Sequence, residues 1–314
     1  MRVKDYSEFI QLILEKSGIK KPELVEKDVI LHTILKRLYS DEYFARNYLF
    51  KGGTCLVKCY FGYYRFSVDL DFTFRNQEKW EGLSKRSRRK ALVEEAQKVG
   101  NLIEAAASYI GLEFKAELQN KRYIEFGSGS RMVTYRLYHP GKEGNIIKVQ
   151  INLVENILFE PKRLTAKTLL SGVPLSKDDE LYFYDFLEDY SGVDVLSYDL
   201  REILIEKVRA ILTRKVQKLR DFYDLYLLYK HGLKVSDYKE TVVEKIIPVL
   251  RYEKYLENFR RNKASFDIEF NNILDEYELR LLNVELDDDF VRFFSSLFME
   301  IKKILSEIDR NLSL

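Results

Sequence analysis

The sequence predicts an α+β fold followed by a mostly helical C-terminal domain. Apolar residues recur at helical spacing in 6–39, and strand-like alternation flanks a long helical segment between residues 69 and 153. From about residue 196 the apolar spacing is helical almost to the end. We therefore expect an α+β domain in 1–160, a connection in 161–195 and a helical domain in 196–314.

Two helices are expected in the N-terminal segment. The first follows from the apolar residues between Phe9 and Ile13, and the second from the apolar positions between Leu24 and Leu38. Pro22 marks the start of the second helix, because the first helical turn does not need the N–H group that proline lacks. We expect both helices to pack behind a sheet.

Apolar residues at helical spacing between Leu92 and Ile110 predict a long helix over 88–111. Gly111 is expected to end it, because glycine favours the left-handed conformation that often follows a helix. Strand patterns follow at 113–118, 131–138 and 146–153. The segment 160–195 has mixed periodicity and contains turn-forming residues, namely Pro161, Gly172, Pro174 and Gly192. These residues are the reason for placing the connection between the domains there.

The charge balance limits the classes of partner. A formal net charge of +2 over 314 residues argues against a protein that coats polyanions along its whole surface. Basic residues nevertheless cluster in 84–90, which reads SKRSRRK. The first interpretation is a solvated surface, because charge runs usually face water. The second is that the run holds the phosphate backbone of an RNA.

Cysteine and histidine form no pattern typical of a metal site or a disulfide framework. Cys55 and Cys59 lie four residues apart on an expected helix, and the three histidines are scattered along the chain. The cysteines are expected to be small side chains that face the core.

Targeting and membrane signals are not recognised in the sequence. The first residues lack the apolar segment of a secretion signal, and no stretch approaches the roughly 20 apolar residues of a membrane span. We therefore expect a cytoplasmic protein with no membrane partner.

Asp69 and Asp71 follow an aromatic, β-rich run and are separated by one apolar residue. Side chains of a strand alternate with period two, so both carboxylates lie on one face. Together they can bind a divalent cation such as Mg²⁺, which prefers oxygen ligands. For an isolated Asp-x-Asp, two exposed carboxylates at a strand end are the common alternative.

A glycine turn, Lys51-Gly52-Gly53-Thr54, precedes these aspartates. Two glycines let a backbone approach an anion closely, and a helix that opens after them adds the positive end of its dipole. For Gly-Gly alone, an ordinary turn is the preferred interpretation. Together with the aspartates, the turn predicts a phosphate-binding element that faces a metal site.

The combination resembles the signature of the DNA polymerase β-like nucleotidyltransferases, a Gly-Gly or Gly-Ser turn followed by Asp-hydrophobic-Asp-hydrophobic. Four blocks are similar to the AbiEii/AbiGii branch of that superfamily and stand in the family's order. They are VEKD at 25–28, the run from KGGT at 51–54 to RFSVDLDF at 65–72, EKVRA at 206–210 and RDFYDL at 220–225. The branch includes toxins of toxin–antitoxin and phage-defence systems.

The resemblance implies a polymerase β-like nucleotidyltransferase domain with a mostly helical C-terminal domain. It implies a reaction that uses Mg²⁺ or Mn²⁺ and transfers a nucleotide from an NTP to an acceptor, either a tRNA 3′ end or a protein hydroxyl. A cognate antitoxin is implied in the same way.

On this resemblance, Asp69 and Asp71 bind the metal and take part in catalysis, and Asp221 accepts the proton of the acceptor. The residues implied in nucleotide binding are Lys51, Gly52, Gly53, Thr54, Lys148, Lys207, Arg209 and Arg220. From periodicity alone, the helical residues among them would form ordinary ion pairs on a helix surface. Lys148 would then be an edge-strand lysine that blunts aggregation.

One position departs from the family's pattern. A third carboxylate on a neighbouring strand normally completes the site, and the matching residue here is Gln150. An amide can coordinate a metal through oxygen, but it adds no charge and cannot act as a base. Glu155 is close in sequence but falls on the opposite face of an unbroken strand. The alternative hypothesis is therefore a catalytically degenerate nucleotide-binding or interaction protein of the same fold.

Overall fold

A mixed sheet organises the N-terminal part of the chain, in a computed structural model that describes residues 4–142, 144–264 and 273–312. Within these residues its strands are β1 (Tyr48–Lys51), β2 (Asp69–Phe74), β3 (Ile124–Gly127), β4 (Met132–Tyr138), β5 (Ile146–Asn152), β6 (Lys162–Ala166) and β7 (Val193–Ser197). Their spatial order is β3-β4-β5-β2-β1-β7-β6. The pairs β2–β5 and β1–β7 are parallel, and the other neighbours are antiparallel. The predicted α+β class is confirmed.

The chain divides into two compact units. The first comprises Met1–Asn156 and Pro161–Tyr198, and the second comprises Ile157–Glu160 and Asp199–Leu314. The whole of 161–195, for which the sequence predicts a connection, therefore lies in the first unit, and it includes β6 and most of β7. Pro161 and Gly192 directly precede these two strands, so the turn-forming residues border regular structure rather than replace it.

The two N-terminal helices and the long helix of the first unit lie where the periodicity predicts them, and further short helices add to these. The helices are α1 (Ser7–Ser17), α2 (Pro22–Tyr39), α3 (Glu42–Asn47), α4 (Gly52–Cys55), α5 (Lys85–Ile110), α6 (Lys177–Tyr182) and α7 (Tyr184–Asp189). Gly111 ends α5 with a φ of +86°, as its conformational freedom allows. The chain continues from α4 into a π-helical segment, Leu56–Phe61. The basic run forms the exposed first turns of α5.

One predicted strand does not form. Within 113–118, only Glu113 makes a bridge, to Tyr138, and the strand that pairs with β4 lies later, at Ile124–Gly127. The apolar positions of the earlier segment are still used, since Phe114 is buried and packs edge-on against Tyr135. Alternating burial was therefore achieved without a ladder of backbone hydrogen bonds.

Aromatic side chains fix the centre of the sheet. Phe44 of α3 stacks on Tyr48 of β1 with ring centroids 4.5 Å apart, and meets Phe72 of β2 edge-on at 5.1 Å. All three are fully buried, and aromatic pairs of this geometry add to the free energy gained from burial. The packing holds β1 and β2 in register, and these strands carry the predicted site.

The second unit is helical in the residues that the structure describes. Its helices are α8 (Leu200–Thr213), α9 (Leu219–Lys230), α10 (Lys239–Ile246), α11 (Glu253–Ala264), α12 (Glu276–Leu281) and α13 (Asp288–Leu312). Phe222 of α9 packs on Phe294 of α13 at 5.0 Å in the core of this unit. None of the helices in the described part of the chain combines the length and apolar character that a membrane crossing requires.

Candidate active site

The two aspartates of β2 lie in register with charged and polar residues on both neighbouring strands. Lys51 of β1 is the partner of Asp71. On β5, Lys148 is the partner of Asp69, and Gln150 is the partner of Asp71. Residues paired directly across strands point to the same face, so these five side chains form one surface, called here the carboxylate patch. Lys51 is buried, and the other four are half-buried.

Gly52 brings the backbone of the turn against Asp71. Its φ of +75° lies in the left-handed region, where other residues are strained. A Cβ atom on Gly52 would lie 2.6 Å from Oδ2 of Asp71, closer than such atoms approach. Glycine is therefore required at this position, and the turn and the carboxylate are adjacent in the fold.

Arg65 packs beneath the second glycine of the turn. Its guanidinium occupies the space that a side chain on Gly53 would need. Arg65 is buried, and its Nη1 donates a hydrogen bond to the carbonyl of Phe66 at 2.9 Å. A guanidinium does not lose its proton in proteins, so a permanent positive charge lies beside the turn. In the sequence, Arg65 is only one letter of a family-like block, and its place under the turn depends on the fold.

Thr54 ties the turn to the start of β2. Its hydroxyl lies 2.7 Å from Oγ of Ser67 and also contacts the carbonyl oxygen of Asp69. Thr54 is buried, so this hydroxyl is engaged inside the protein. The contact fixes the backbone of Asp69 relative to the glycine turn.

A lysine that the sequence-based set omits also approaches the carboxylate patch. The Nζ atom of Lys27, on α2, donates to the carbonyl of Ile146 at 3.3 Å, two positions before Lys148 on β5. Burial lowers the pKa of Lys27, whereas Asp69 raises it and Lys148 lowers it further. These three charges therefore interact. In the sequence, Lys27 belongs to the VEKD block, but the block alone does not indicate a contact with β5.

Gln150 occupies the position beside Asp71, and Glu155 does not replace it there. Glu155 follows the end of β5. Its carboxylate accepts a hydrogen bond from the side-chain amide of Asn152 at 2.9 Å, and its backbone N–H donates to Oε1 of Gln77 at 3.0 Å. Gln77 comes after β2 has ended, so Glu155 lies at the end of these strands away from Asp69. The described residues contain no group of three or more histidines, cysteines and acids able to hold a metal ion.

The second unit contains a buried ion cluster between α8 and α9. The ammonium of Lys207 lies 2.7 Å from Asp221 and 2.6 Å from Asp224, and Arg214 also pairs with Asp221. The carboxylates are 2% and 0% exposed, respectively. Burial would raise the pKa of Asp221, but Lys207 and Arg214 outweigh it and hold that pKa well below its ordinary value. Asp221 is therefore a weak base at neutral pH.

The two arginines predicted to bind nucleotide also have partners within the second unit. Arg209 pairs with Glu206 at 3.1 Å, and Arg220 lies 3.4 Å from Glu278 of α12. Burial lowers the pKa of Lys218, and the neighbouring arginines Arg220 and Arg214 lower it further. Lys218 therefore lies close to both arginines and to the acids with which they pair.

Two comparisons with known proteins gave matches. The family model described as "Nucleotidyl transferase AbiEii toxin, Type IV TA system" matches residues 33–304. Among solved structures, the fold is similar to MenT4, a nucleotidyltransferase toxin from Mycobacterium tuberculosis H37Rv. That match has a TM-score of 0.52 and 15% sequence identity, and it covers 95% of this chain and 98% of that one. No curated protein sequence matches the chain significantly.

Proposed function

The chain belongs to the AbiEii nucleotidyltransferase toxin family, and on that premise we propose a metal-dependent transfer of a nucleotide from an NTP to an RNA or protein acceptor. Membership of the family makes the protein a nucleotidyltransferase and a toxin of a toxin–antitoxin system. The acceptor is proposed to be a tRNA 3′ end or a protein hydroxyl. A cognate antitoxin is implied by the family, and we place the reaction in the cytoplasm, where NTPs and tRNA are found.

The contact between the glycine turn and Asp71 carries this proposal. Gly52 approaches the Asp71 carboxylate so closely that a side chain could not be inserted. Backbone N–H groups at a turn that opens a helix can bind phosphate oxygens, and the adjacent carboxylate can bind a cation. A metal-bound triphosphate offers both of these groups at once.

The oxygen donors of the carboxylate patch suit Mg²⁺ or Mn²⁺. Asp69 and Asp71 supply two carboxylates, and Gln150 supplies an amide oxygen on the same face. Mg²⁺ usually takes one or two protein carboxylates and completes its coordination with waters and substrate phosphates. When bound, the metal would neutralise charge on the triphosphate and on the pyrophosphate that leaves.

Phosphate binding in the first unit is assigned to the turn and to the lysines near it. The proposed donors are the N–H groups of Gly52 and Gly53 and the ammonium groups of Lys27, Lys51 and Lys148. Lysines bind phosphate as point charges, and the register of β1, β2 and β5 places two of them next to the aspartates. Thr54 contributes by holding the backbone of Asp69 at the turn.

In the second unit, Lys207, Arg209 and Arg220 are proposed to bind the nucleotide or the acceptor through its phosphates. The proton-acceptor role of Asp221 stays a prediction. Its two ion pairs and its lowered pKa support an additional role, in which the carboxylate holds Lys207 and Arg214 in place.

A second candidate function is favoured by Gln150, which is the register partner of Asp71. With a neutral amide there, the patch has one negative charge fewer than a three-carboxylate site. A protein that binds nucleotide without transferring it would keep the turn and the lysines. This candidate and the enzyme differ in one measurable outcome, the covalent transfer of label.

The test is incubation of the purified protein with each radiolabelled NTP, with Mg²⁺ or Mn²⁺, and with either tRNA or a protein extract. Asp69→Asn and Asp71→Asn are the matched controls, because asparagine keeps the size of aspartate and removes its charge. We expect transfer of label by the wild type that is lost in both variants. Nucleotide binding without transfer by the folded wild type, under every condition, would establish the second candidate instead.

A further inference from the structure

A buried ion pair joins α2 to the helical segment that follows the glycine turn. Lys58 lies in Leu56–Phe61, and its side chain is 0% exposed. Its Nζ atom is 2.8 Å from Oδ1 of Asp28 and donates to the hydroxyl of Tyr63 at 2.7 Å. Asp28 itself is 2% exposed. A buried lysine at this position needs such a partner, because burial disfavours the charged form and lowers the pKa of Lys58.

Three donors satisfy the Asp28 carboxylate. Besides Lys58, the hydroxyls of Tyr63 and Tyr190 donate to Oδ2 at 2.9 Å and 2.5 Å. Burial, together with the charge of Asp28, raises the pKa of both tyrosines, so they remain donors at neutral pH. These four residues, called here the Asp28 network, connect α2, the segment after the turn and the loop after α7. A fully satisfied buried network of this kind rigidifies the elements that it joins.

The Asp28 network is coupled to the carboxylate patch along the chain and through α2. Lys58 belongs to the same continuous helical stretch that begins at Gly52. On α2, the residue before Asp28 is Lys27, which bonds to β5 at Ile146. Adjacent residues of one helix therefore hold the glycine turn on one side and the strand of Lys148 on the other.

We propose that the Asp28–Lys58 ion pair is a positioning device that holds the glycine turn in the geometry that receives a triphosphate. The inference rests on the proposed function, since it assigns the turn to nucleotide binding. The close approach of Gly52 to Asp71 leaves no room for a shift of the turn towards β2. A helical segment released from α2 would move the N–H groups away from the phosphates. Asp28 and Lys58 act through the turn and do not touch the substrate.

The chain contains a matched control for this network. Glu95 of α5 accepts hydrogen bonds from two tyrosines and a lysine, as Asp28 does. The donors are Tyr43 at 2.7 Å, Tyr48 at 2.6 Å and Lys79 at 2.6 Å. Glu95 is 4% exposed, although Lys79 is more exposed than Lys58. Tyr48 pairs with Phe74, at the end of β1 and β2 that lies away from Lys51 and Asp71.

The experiment compares Asp28→Asn with Glu95→Gln, using the KM for NTP, kcat and amide hydrogen exchange without nucleotide. We expect Asp28→Asn to raise KM about tenfold while kcat stays within about threefold, because misplacing a binding element mainly weakens binding. Exchange should also accelerate across residues 52–58. Glu95→Gln should leave KM and exchange in this segment unchanged.

A second variant is available if Asp28→Asn does not fold. Asp28→Asn combined with Lys58→Met removes both charges of the ion pair, so this double variant should fold, and its KM should still be raised. Equal effects of Asp28→Asn and Glu95→Gln on KM and exchange, or no effect of Asp28→Asn on either, would overturn the positioning role. Hydrogen exchange needs no activity, so an inactive wild type would contradict the proposed function while the exchange data still decide this inference.

Discussion

Two aspartate pairs, one in each unit, differ in what surrounds them. Asp69 and Asp71 are half-buried on a strand face, next to a turn whose backbone approaches without a side chain. Asp221 and Asp224 are buried on a helix, and both lie within 2.7 Å of Lys207. The first pair is half-buried and in register with Lys51 and Lys148 of the neighbouring strands, whereas the second pair is buried around the ammonium of Lys207.

The difference shows that the surroundings of an aspartate determine whether it contributes to stability or to binding. A buried carboxylate that meets a lysine or arginine inside the protein is held there, because removing either partner leaves an uncompensated charge. Neutralising a half-buried carboxylate on a strand face lowers the free energy of unfolding less, because water can still solvate the groups around it. Such a carboxylate can also exchange its partners. Function and stability should therefore separate between the two pairs, and the following predictions test that separation.

The largest effect is expected from Asp71→Asn on activity. Loss of one metal ligand should lower the rate of nucleotide transfer by at least about 10³-fold, equivalent to roughly 4 kcal/mol of transition-state free energy. The free energy of unfolding should change by less than about 1 kcal/mol, since the position is half-buried. Steady-state transfer assays and urea unfolding measure the two quantities. A large loss of stability in this variant would contradict the proposal that the aspartates of the first unit serve activity and those of the second unit serve stability.

Lys207→Met should show the converse effect on stability. It leaves Asp221 and Asp224 buried without their shared cation, and breaking a buried pair in this way costs about 3–5 kcal/mol. Urea unfolding of the variant measures the loss, and Lys207→Met combined with Asp221→Asn should recover part of it. A change below about 1 kcal/mol would mean that the cluster is more hydrated than the structure indicates.

Acid should weaken the second cluster in a defined pH range. The ion pairs hold the pKa of Asp221 below its ordinary value of 3.8, so the unfolded chain takes up this proton first as the pH falls. The contribution of Asp221 to stability is therefore complete above about pH 4 and is lost below it, by up to about 1.4 kcal/mol per pH unit. Urea unfolding from pH 6 to pH 3 should show a gap between wild type and Asp221→Asn that closes in acid. A gap that stays constant would contradict the lowered pKa.

The smallest effect is expected from Gln150→Glu. A third carboxylate beside Asp71 should tighten Mg²⁺ binding about tenfold, or about 1.4 kcal/mol. Without metal, the added charge should cost up to about 1 kcal/mol of stability, because like charges repel across strands. The Mg²⁺ dependence of transfer and urea unfolding in EDTA measure these effects. Unchanged Mg²⁺ dependence would place position 150 outside the metal site.

Local patterns predicted much of the fold. Apolar periodicity and Gly111 located α5, and alternation located β4 and β5, because these signals lie within a few residues of one another. The strands β6 and β7 were missed, since β7 is recognised by its parallel pairing with β1, about 145 residues earlier in the chain. The strand expected at 113–118 does not form, because its alternating apolar residues are buried without pairing to a neighbouring strand.

The site was predicted in its residue types but not in its contacts. Asp-x-Asp on a strand and Gly-Gly before a helix are local patterns, so the sequence could indicate both. Lys27, Asp28 and Lys58 were not assigned roles, because their partners lie on other elements and pairing cannot be inferred from spacing. The same reason explains why the buried state of Asp221 was not foreseen from helical periodicity.

The most direct test of the central claim is a Mg²⁺ titration of nucleotide transfer by wild type and by Asp71→Asn, with folding monitored in the same samples. We expect transfer by the wild type that rises with Mg²⁺ and disappears in EDTA, and no Mg²⁺-dependent transfer by the folded variant. Transfer that persists in EDTA, or that Asp71→Asn performs at the wild-type rate, would contradict the assignment of the carboxylate patch as the metal-dependent active site.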